Sequence, residues 1–399
     1  MGSFTRRQLL GGLGTAGAWA VLGGRAARCE ARPRVREVTV ISQEPKLYHG
    51  WPTLARCRSG RLLLTYSGGR EAHVCPFGRV ELMQSDDDGR TWSRPRVLSD
   101  SPIDDRDSGV LETDAGTILV TTFTSLAYEP ILKKAEDATA GSPGAWPQER
   151  LARWRAANGR LSADERKARL GVWMIRSTDR GETWSEPYDC LVSSPHGPVQ
   201  LADGRLLYAG KDLWRPPHRV GVCESTDDGR TWRWLADIPE RPGDTHELYH
   251  ELHAVDCGGG RMVVQLRNHN RANLGETLQS ESADGGKTWS APHPIGVWGL
   301  PSHLARLREG RLLMTYGHRR APFGNQARFS EDQGRTWGEA VILSGDGEGS
   351  DLGYPSTVQL ADGPSPAVGL RPAGGSLLTV WYERMAEVAG AVLRQARWS

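Results

Sequence analysis

One eight-residue motif constrains this chain more than any other feature of it. Ser-x-Asp-x-Gly-x-Thr-Trp occurs five times, at Ser85–Trp92, Ser177–Trp184, Ser225–Trp232, Ser282–Trp289 and Ser330–Trp337. Each part has a mechanical purpose. The Asp side chain accepts backbone N–H bonds inside a turn, the Gly adopts a backbone angle other residues avoid, and the Trp packs a large apolar surface beside it. The chain is therefore built from repeated units that each carry the same tight turn.

A second pattern interleaves with the first. Short apolar strands run into turns ending at Gly60, Gly116, Gly204, Gly260, Gly310 and Gly375, and strands of the type Arg-Leu-Leu-x-x-Tyr follow. Six units result, each reading strand, hairpin, strand, loop, strand, Asp turn, strand. Radial repetition of four-stranded antiparallel sheets is an all-β, six-bladed β-propeller. High glycine (48) and tryptophan (15) beside only 5 phenylalanines suit short strands and tight turns with one large aromatic per unit. The sixth unit has no Asp turn and ends near Trp398, so its outer strand is expected from Val35 to Ile41. That closure removes an exposed sheet edge. Between the second and third units the interval lengthens, which marks a helix-prone insertion over 127–170. Ser162-Ala163-Asp164-Glu165 reads as a capping box, and Gln148 to Ala157 reads as another helix. Surface decoration and a lid over the site are equal readings of this insertion.

Residues 1–30 read as an address. Thr5-Arg6-Arg7-Gln8-Leu9-Leu10 precedes a glycine-rich, weakly apolar run, which is the pattern of a twin-arginine signal. The expectation is a mature propeller over 31–399, exported to the periplasm or the outside, not inserted in the membrane and a monomer. With 50 Lys+Arg against 48 Asp+Glu, the formal charge of +2 lacks the basic footprint of a nucleic-acid binder. The six cysteines are scattered, with no metal-type spacing. His246-x-x-x-His250-x-x-His253 adjoins a strand rather than a long helix, so no metal and no other cofactor is expected.

Propeller geometry sorts the loops by face. Asp turns join third and fourth strands and lie together on one face, so their aspartates are structural. Loops that enter first strands or leave second strands share the opposite face, and candidates come from there. Unit one offers His49, Trp51, Arg70, Glu71 and His73; unit two offers Asp104, Asp105, Arg106 and Asp107. Units three and four offer His196 and Lys211, then His250, Glu251, His253, Arg267, His269 and Asn270. Units five and six offer His303, His318, Arg319 and Arg320, then Asp351, Tyr354, Glu383 and Arg384. A ring of His, Arg, Asp, Glu and Tyr at a propeller mouth suits an acidic sugar.

Motifs and their order resemble the Asp-box (BNR-repeat) sialidases over nearly the whole mature chain. The resemblance implies a Tyr nucleophile activated by a Glu, an Asp acid/base and three Arg on the substrate carboxylate. It places the nucleophile at Tyr354, its partner at Glu251, and carboxylate-binding arginines at Arg267 and at Arg320 or Arg319. Sialic acid carries its carboxylate on the anomeric carbon, so a neutral Tyr avoids the repulsion an anionic nucleophile would meet. Two departures stand out. Gly50-Trp51-Pro52 replaces an Arg-Ile-Pro-like triplet, and the segment Arg70 to Cys75, where the family Asp is due, has no Asp. Glu71, His73, Asp105 and Asp107 are the candidates for proton transfer. Arg70 and Arg106 are the candidates for the lost arginine, with His49, His253 and His303 as further substrate contacts. Three readings follow: an exo-acting, retaining glycosidase of sialidase type on an acidic glycan, a uronic-acid polysaccharide lyase, or a non-catalytic carbohydrate-binding propeller.

Overall fold

The computed structural model describes residues 33–139, 141–361, 375–385 and 390–399. The twin-arginine segment lies outside the described residues. Six antiparallel sheets make the propeller, and the inner strands that line its axis matter most for function. In blade 1 the strands from the axis outward are Tyr48–Arg56, Leu62–Arg70, Arg79–Ser85 and Arg96–Ser99. Blade 2 begins with a broken inner strand, Asp104–Arg106 and Val110–Glu112. The inner strands of blades 3 to 6 are Val199–Gln200, Tyr249–Gly258, Ser302–Arg306 and Leu352–Gln359. Val35–Val40 pairs antiparallel with Ala391–Trp398 and completes blade 6, which closes the ring as expected.

Each second strand is apolar on both faces because it is covered on both sides. Leu62 and Leu64 pack toward blade 6, while Leu63 between them packs toward blade 2. The result is one buried cluster between each pair of neighbouring blades.

The Asp turns staple the blades together. In the first, Asp87 Oδ1 accepts the Thr91 N–H at 2.9 Å and Oδ2 accepts the Thr91 hydroxyl at 2.7 Å. Those bonds, the Thr91 N–H first, hold the Asp87 carboxyl down at about 2. Two successive residues, Asp88 (φ 59°) and Gly89 (φ 81°), are left-handed, and a Cβ on Gly89 would sit 2.7 Å from Leu378 of blade 6. Gly334 approaches Val263 of blade 4 in the same way. Glycine is thus required twice over, by its angle and by the approach of the preceding blade.

The insertion holds three helices: α1 Glu129–Glu136, α2 Gln148–Asn158 and α3 Ala163–Ala168. The capping box at Ser162 and Glu165 is formed. Helix α1 escaped the sequence reading. Tyr128, Leu132, Leu151 and Trp154 pack with Cys75 and Ile103 of the loops below, so the insertion is a docked wall of the mouth. Glu71 fastens it: its carboxylate accepts Arg153 Nε and Nη2 at 2.9 and 2.8 Å and Trp154 Nε1 at 3.1 Å. Trp154→Ala is expected to cost about 3 kcal/mol of this docking. Faster proteolysis within 127–170, with the blades still resistant, is the measurement that checks it.

Among the described residues no helix is long and apolar enough to cross a membrane. The described cysteines, Cys57, Cys75, Cys190, Cys223 and Cys257, are all free and buried.

Candidate active site at the propeller mouth

Four non-glycine residues on inner strands hold a left-handed backbone: Trp51 (φ 54°), Asp107 (50°), Glu251 (46°) and Tyr354 (51°). Side chains of this bulk avoid that region, and holding them there costs roughly 1–3 kcal/mol each. The sheets bend to accommodate them. Pairing register slips between Gly50 and Thr53, His250 and His253, and Gly353 and Ser356, and blade 2 breaks its inner strand around Asp107. One bulge at one level of four blades brings four side chains to a common place on the axis.

Tyr354 Oη donates to Glu251 Oε1 at 2.5 Å. Arg267 Nη1 donates to both Glu251 oxygens, at 2.9 and 2.7 Å, and reaches Tyr354 Oη at 3.3 Å. Burial alone would raise the Glu251 pKa, but Arg267, the tyrosine hydrogen bond and Arg319 outweigh it and hold the carboxyl below its ordinary value. Burial and then Glu251 push the Tyr354 phenol well above its ordinary range. In the resting site the proton therefore belongs to Tyr354. Arg319 lies 5.6 Å over the Tyr354 ring and anchors through the Leu352 carbonyl at 3.0 Å.

Asp107 is buried and makes no hydrogen bond among the described residues. Burial first, then Glu251, raise its carboxyl to about 7, against the pull of Arg106, Arg70 and Arg267. Two carboxyls within electrostatic reach of one another thus have their affinities for protons pushed apart.

Trp51 is the platform beside these groups. Its ring centroid is 6.3 Å from that of Tyr354, and the guanidinium groups of Arg106 and Arg70 stack on it at 4.6 and 4.8 Å. The two arginines differ. Arg70 is fully buried and grips Asp104 through two bonds of 2.7 and 3.0 Å, so its charge is already spent. Arg106 comes no nearer than 4.0 Å to Asp104 and keeps its donors.

His73 stands on the rim, 5.1 Å from Trp51, with Nδ1 at 2.9 Å from Asp351 Oδ1. Tyr48 and Tyr382, which sequence reasoning missed, donate to that same Asp351 oxygen at 2.8 and 3.0 Å.

Several expected site residues are placed elsewhere. Glu71 is committed to the insertion. Asp105 turns back to accept the Ser101 N–H at 2.6 Å, and burial lifts its carboxyl to about 7. Arg320 points away and stacks on Trp298 at 4.0 Å, so Arg319 is the arginine of that pair at the site. His49 turns into blade 1 against Ser42 and Tyr66. Glu383 pairs with Arg394 inside blade 6. His253 and His303 stack at 4.7 Å beside His196, two positions deeper along the strands than Glu251 and Pro301. Burial keeps all three imidazoles neutral at physiological pH. His253 Nδ1 accepts the Leu304 N–H at 2.9 Å, so its proton sits on Nε2 and that nitrogen has no lone pair for a metal. Among the described residues no group of three or more His, Cys, Asp or Glu is arranged to hold a metal ion.

Six closed blades, five Asp turns and a polar cluster on bulged inner strands define an Asp-box propeller. Residues 142–366 match the model of the BNR repeat-like domain, and the chain belongs to that family. It is 28% identical over 189 residues to a xyloglucanase, Xgh74A, of Acetivibrio thermocellus, covering 41% of this chain and 20% of that protein. A sialidase of Micromonospora viridifaciens is 24% identical over 222 residues, covering 46% and 34%. The matched segment thus spans about a fifth to a third of these curated relatives. Among solved structures, a Dyadobacter fermentans protein of unknown function superimposes with a TM-score of 0.68 at 22% identity, covering 92% of this chain and 99% of that one.

Proposed function

We propose that this propeller is an exo-acting, retaining glycosidase of sialidase type that removes a terminal acidic sugar through Tyr354. The observation that carries the proposal is the 2.5 Å bond between Tyr354 and Glu251, both held on strained backbone beside Arg267. Strain of this kind persists where function needs a fixed direction.

The substrate carboxylate is received by three guanidinium groups, Arg106, Arg267 and Arg319, through charge-assisted bonds. Arg106 restores from blade 2 the arginine that Trp51 replaces in blade 1. Tyr354 Oη attacks the anomeric carbon and passes its proton to Glu251 as the new bond forms. The bond to the leaving oxygen breaks and takes a proton from Asp107. Water then attacks the same carbon and loses a proton to Asp107, while Glu251 returns its proton to Tyr354 as the sugar–tyrosine bond breaks. Both carboxyls end as they began.

A panel of aryl glycosides of sialic and uronic acids tests the reading, with NMR of the first-formed product. Release of one acidic sugar with retained anomeric configuration is expected. An inverted product, an unsaturated uronide absorbing in the ultraviolet, or binding without turnover would each overturn it.

Arg106→Met is expected to raise KM for the acidic glycoside by about tenfold or more, with kcat changed only a few-fold. That is the signature of a contact made equally in ground and transition states. Steady-state kinetics at fixed pH checks it.

A further inference from the structure

We infer that the wall between blades 3 and 4 is a second anion subsite, one that takes a sulfate ester on the substrate glycan. The inference rests on the function proposed above and names a feature of its substrate.

Four nitrogen side chains follow one another along this wall: Arg267, His269, His250 and Lys211. Arg267 Nε donates to His269 Nε2 at 2.8 Å, so the His269 proton sits on Nδ1, which donates to nothing among the described residues. His250 lies beside it with the rings tilted, 4.9 Å between centroids, and makes no side-chain hydrogen bond among the described residues. Lys211 is 5% exposed; its ammonium donates to the Glu247 carbonyl at 2.8 Å, and its nearest carboxylate, also of Glu247, is 3.9 Å away. A buried ammonium with one neutral acceptor keeps spare donors and is poorly compensated. Opposing charge is scarce, because Glu251 is already held by Arg267 and Tyr354.

Burial first, and then the Lys211 charge, depress His250 to about 4, so near neutral pH His250 offers a neutral N–H donor beside the Lys211 charge. The shape of the donor set selects the anion. A flat carboxylate pairs best with a guanidinium fork. Two tilted imidazoles and an ammonium offer single donors on separate side chains rather than a planar fork, which suits the three oxygens of a sulfate ester.

Calorimetry of the full chain with inorganic sulfate and with glucuronate tests this. His250→Ala and Lys211→Met are each expected to weaken sulfate binding by about tenfold or more, the scale of one lost bond to a charged group. Tyr354→Phe should leave sulfate affinity within about twofold. Glucuronate binding should fall in Arg319→Ala and stay unchanged in His250→Ala. His250 is only half-buried, so its variant keeps the test alive if Lys211→Met misfolds; near-ultraviolet circular dichroism reports folding. Absence of saturable sulfate binding to the wild type, or sulfate binding that follows Arg319 and ignores His250, would overturn the inference. Failure of the glycosidase reading has a separate mark: no turnover of any acidic glycoside while the sulfate results stand.

Discussion

Tyr354→Phe is expected to lower kcat on an aryl α-sialoside by at least about a thousandfold while the melting temperature moves by only a few degrees. The size of the kinetic loss follows from removing the atom that forms the glycosyl bond, since neighbouring groups cannot replace a nucleophile. The small thermal effect follows from what remains. Without the phenol, Glu251 keeps both bonds to Arg267, so its charge stays compensated. The variant loses one hydrogen bond worth about 1 kcal/mol and keeps the ring packed among Trp51 and Tyr382. Fluorogenic turnover at saturating substrate gives the first number and a thermal melt the second. Intact-mass analysis with a slow fluorinated sialoside supplies a third readout: a sugar adduct on the wild type and none on the variant. Unchanged turnover would remove the tyrosine mechanism whatever the fold.

Much of the fold was legible because its signals are local. Five Asp turns and six turn glycines define the blades, and a ring must close somewhere, which assigned the N-terminal strand. Helix α1 was missed because its apolar positions, Leu132 and Ala135, are too few to show a period, and its partners are loop residues such as Cys75. At the site, Glu251, Arg267 and Tyr354 could be read from their motif surroundings. Arg319 and Arg320 could not be separated, because neighbours on a loop differ only in direction, and Trp298 captures one of them. Glu71 and Asp105 were expected in the site for their chemistry, but each satisfies a closer partner. Asp107 had a usable signal: it stands nine residues before its turn glycine, as Trp51, Glu251 and Pro301 do before Gly60, Gly260 and Gly310. That spacing marks the bulge level on the axis. Arg70 and Arg106 were both readable as candidates for a further arginine, but the sequence could not choose between them: Asp104 takes Arg70, while Arg106 lies across Trp51 from the next blade.

Asp107→Asn is expected to abolish hydrolysis of substrates with poor leaving groups and, at the same time, to stabilise the protein above neutral pH. Both effects come from one carboxyl. In the folded protein burial and Glu251 lift Asp107 to about 7 from an ordinary 3.8. Its folded pKa is raised, so folding takes up a proton between those two values. The neutral carboxyl suits the fold fully below about pH 4, and stability is lost as pH rises toward 7 and the buried group ionises. About three pKa units correspond to at most about 4 kcal/mol. Asparagine stays neutral, so the variant should match the wild type near pH 4 and melt several degrees higher at pH 8. Asp105 is raised to the same range and adds a parallel slope that Asp107→Asn leaves in place. In catalysis the sign matches: the acid must hold its proton, so wild-type kcat/KM should fall as pH climbs through about 7. Arg106 pulls the Asp107 carboxyl down, so Arg106→Met should carry that alkaline limb to higher pH. Melts across pH and rate profiles on aryl glycosides of graded leaving-group acidity measure both. A pH-independent gain in stability, or full activity in the asparagine variant, would take the proton-transfer role from Asp107 and leave His73 with Asp351 to fill it.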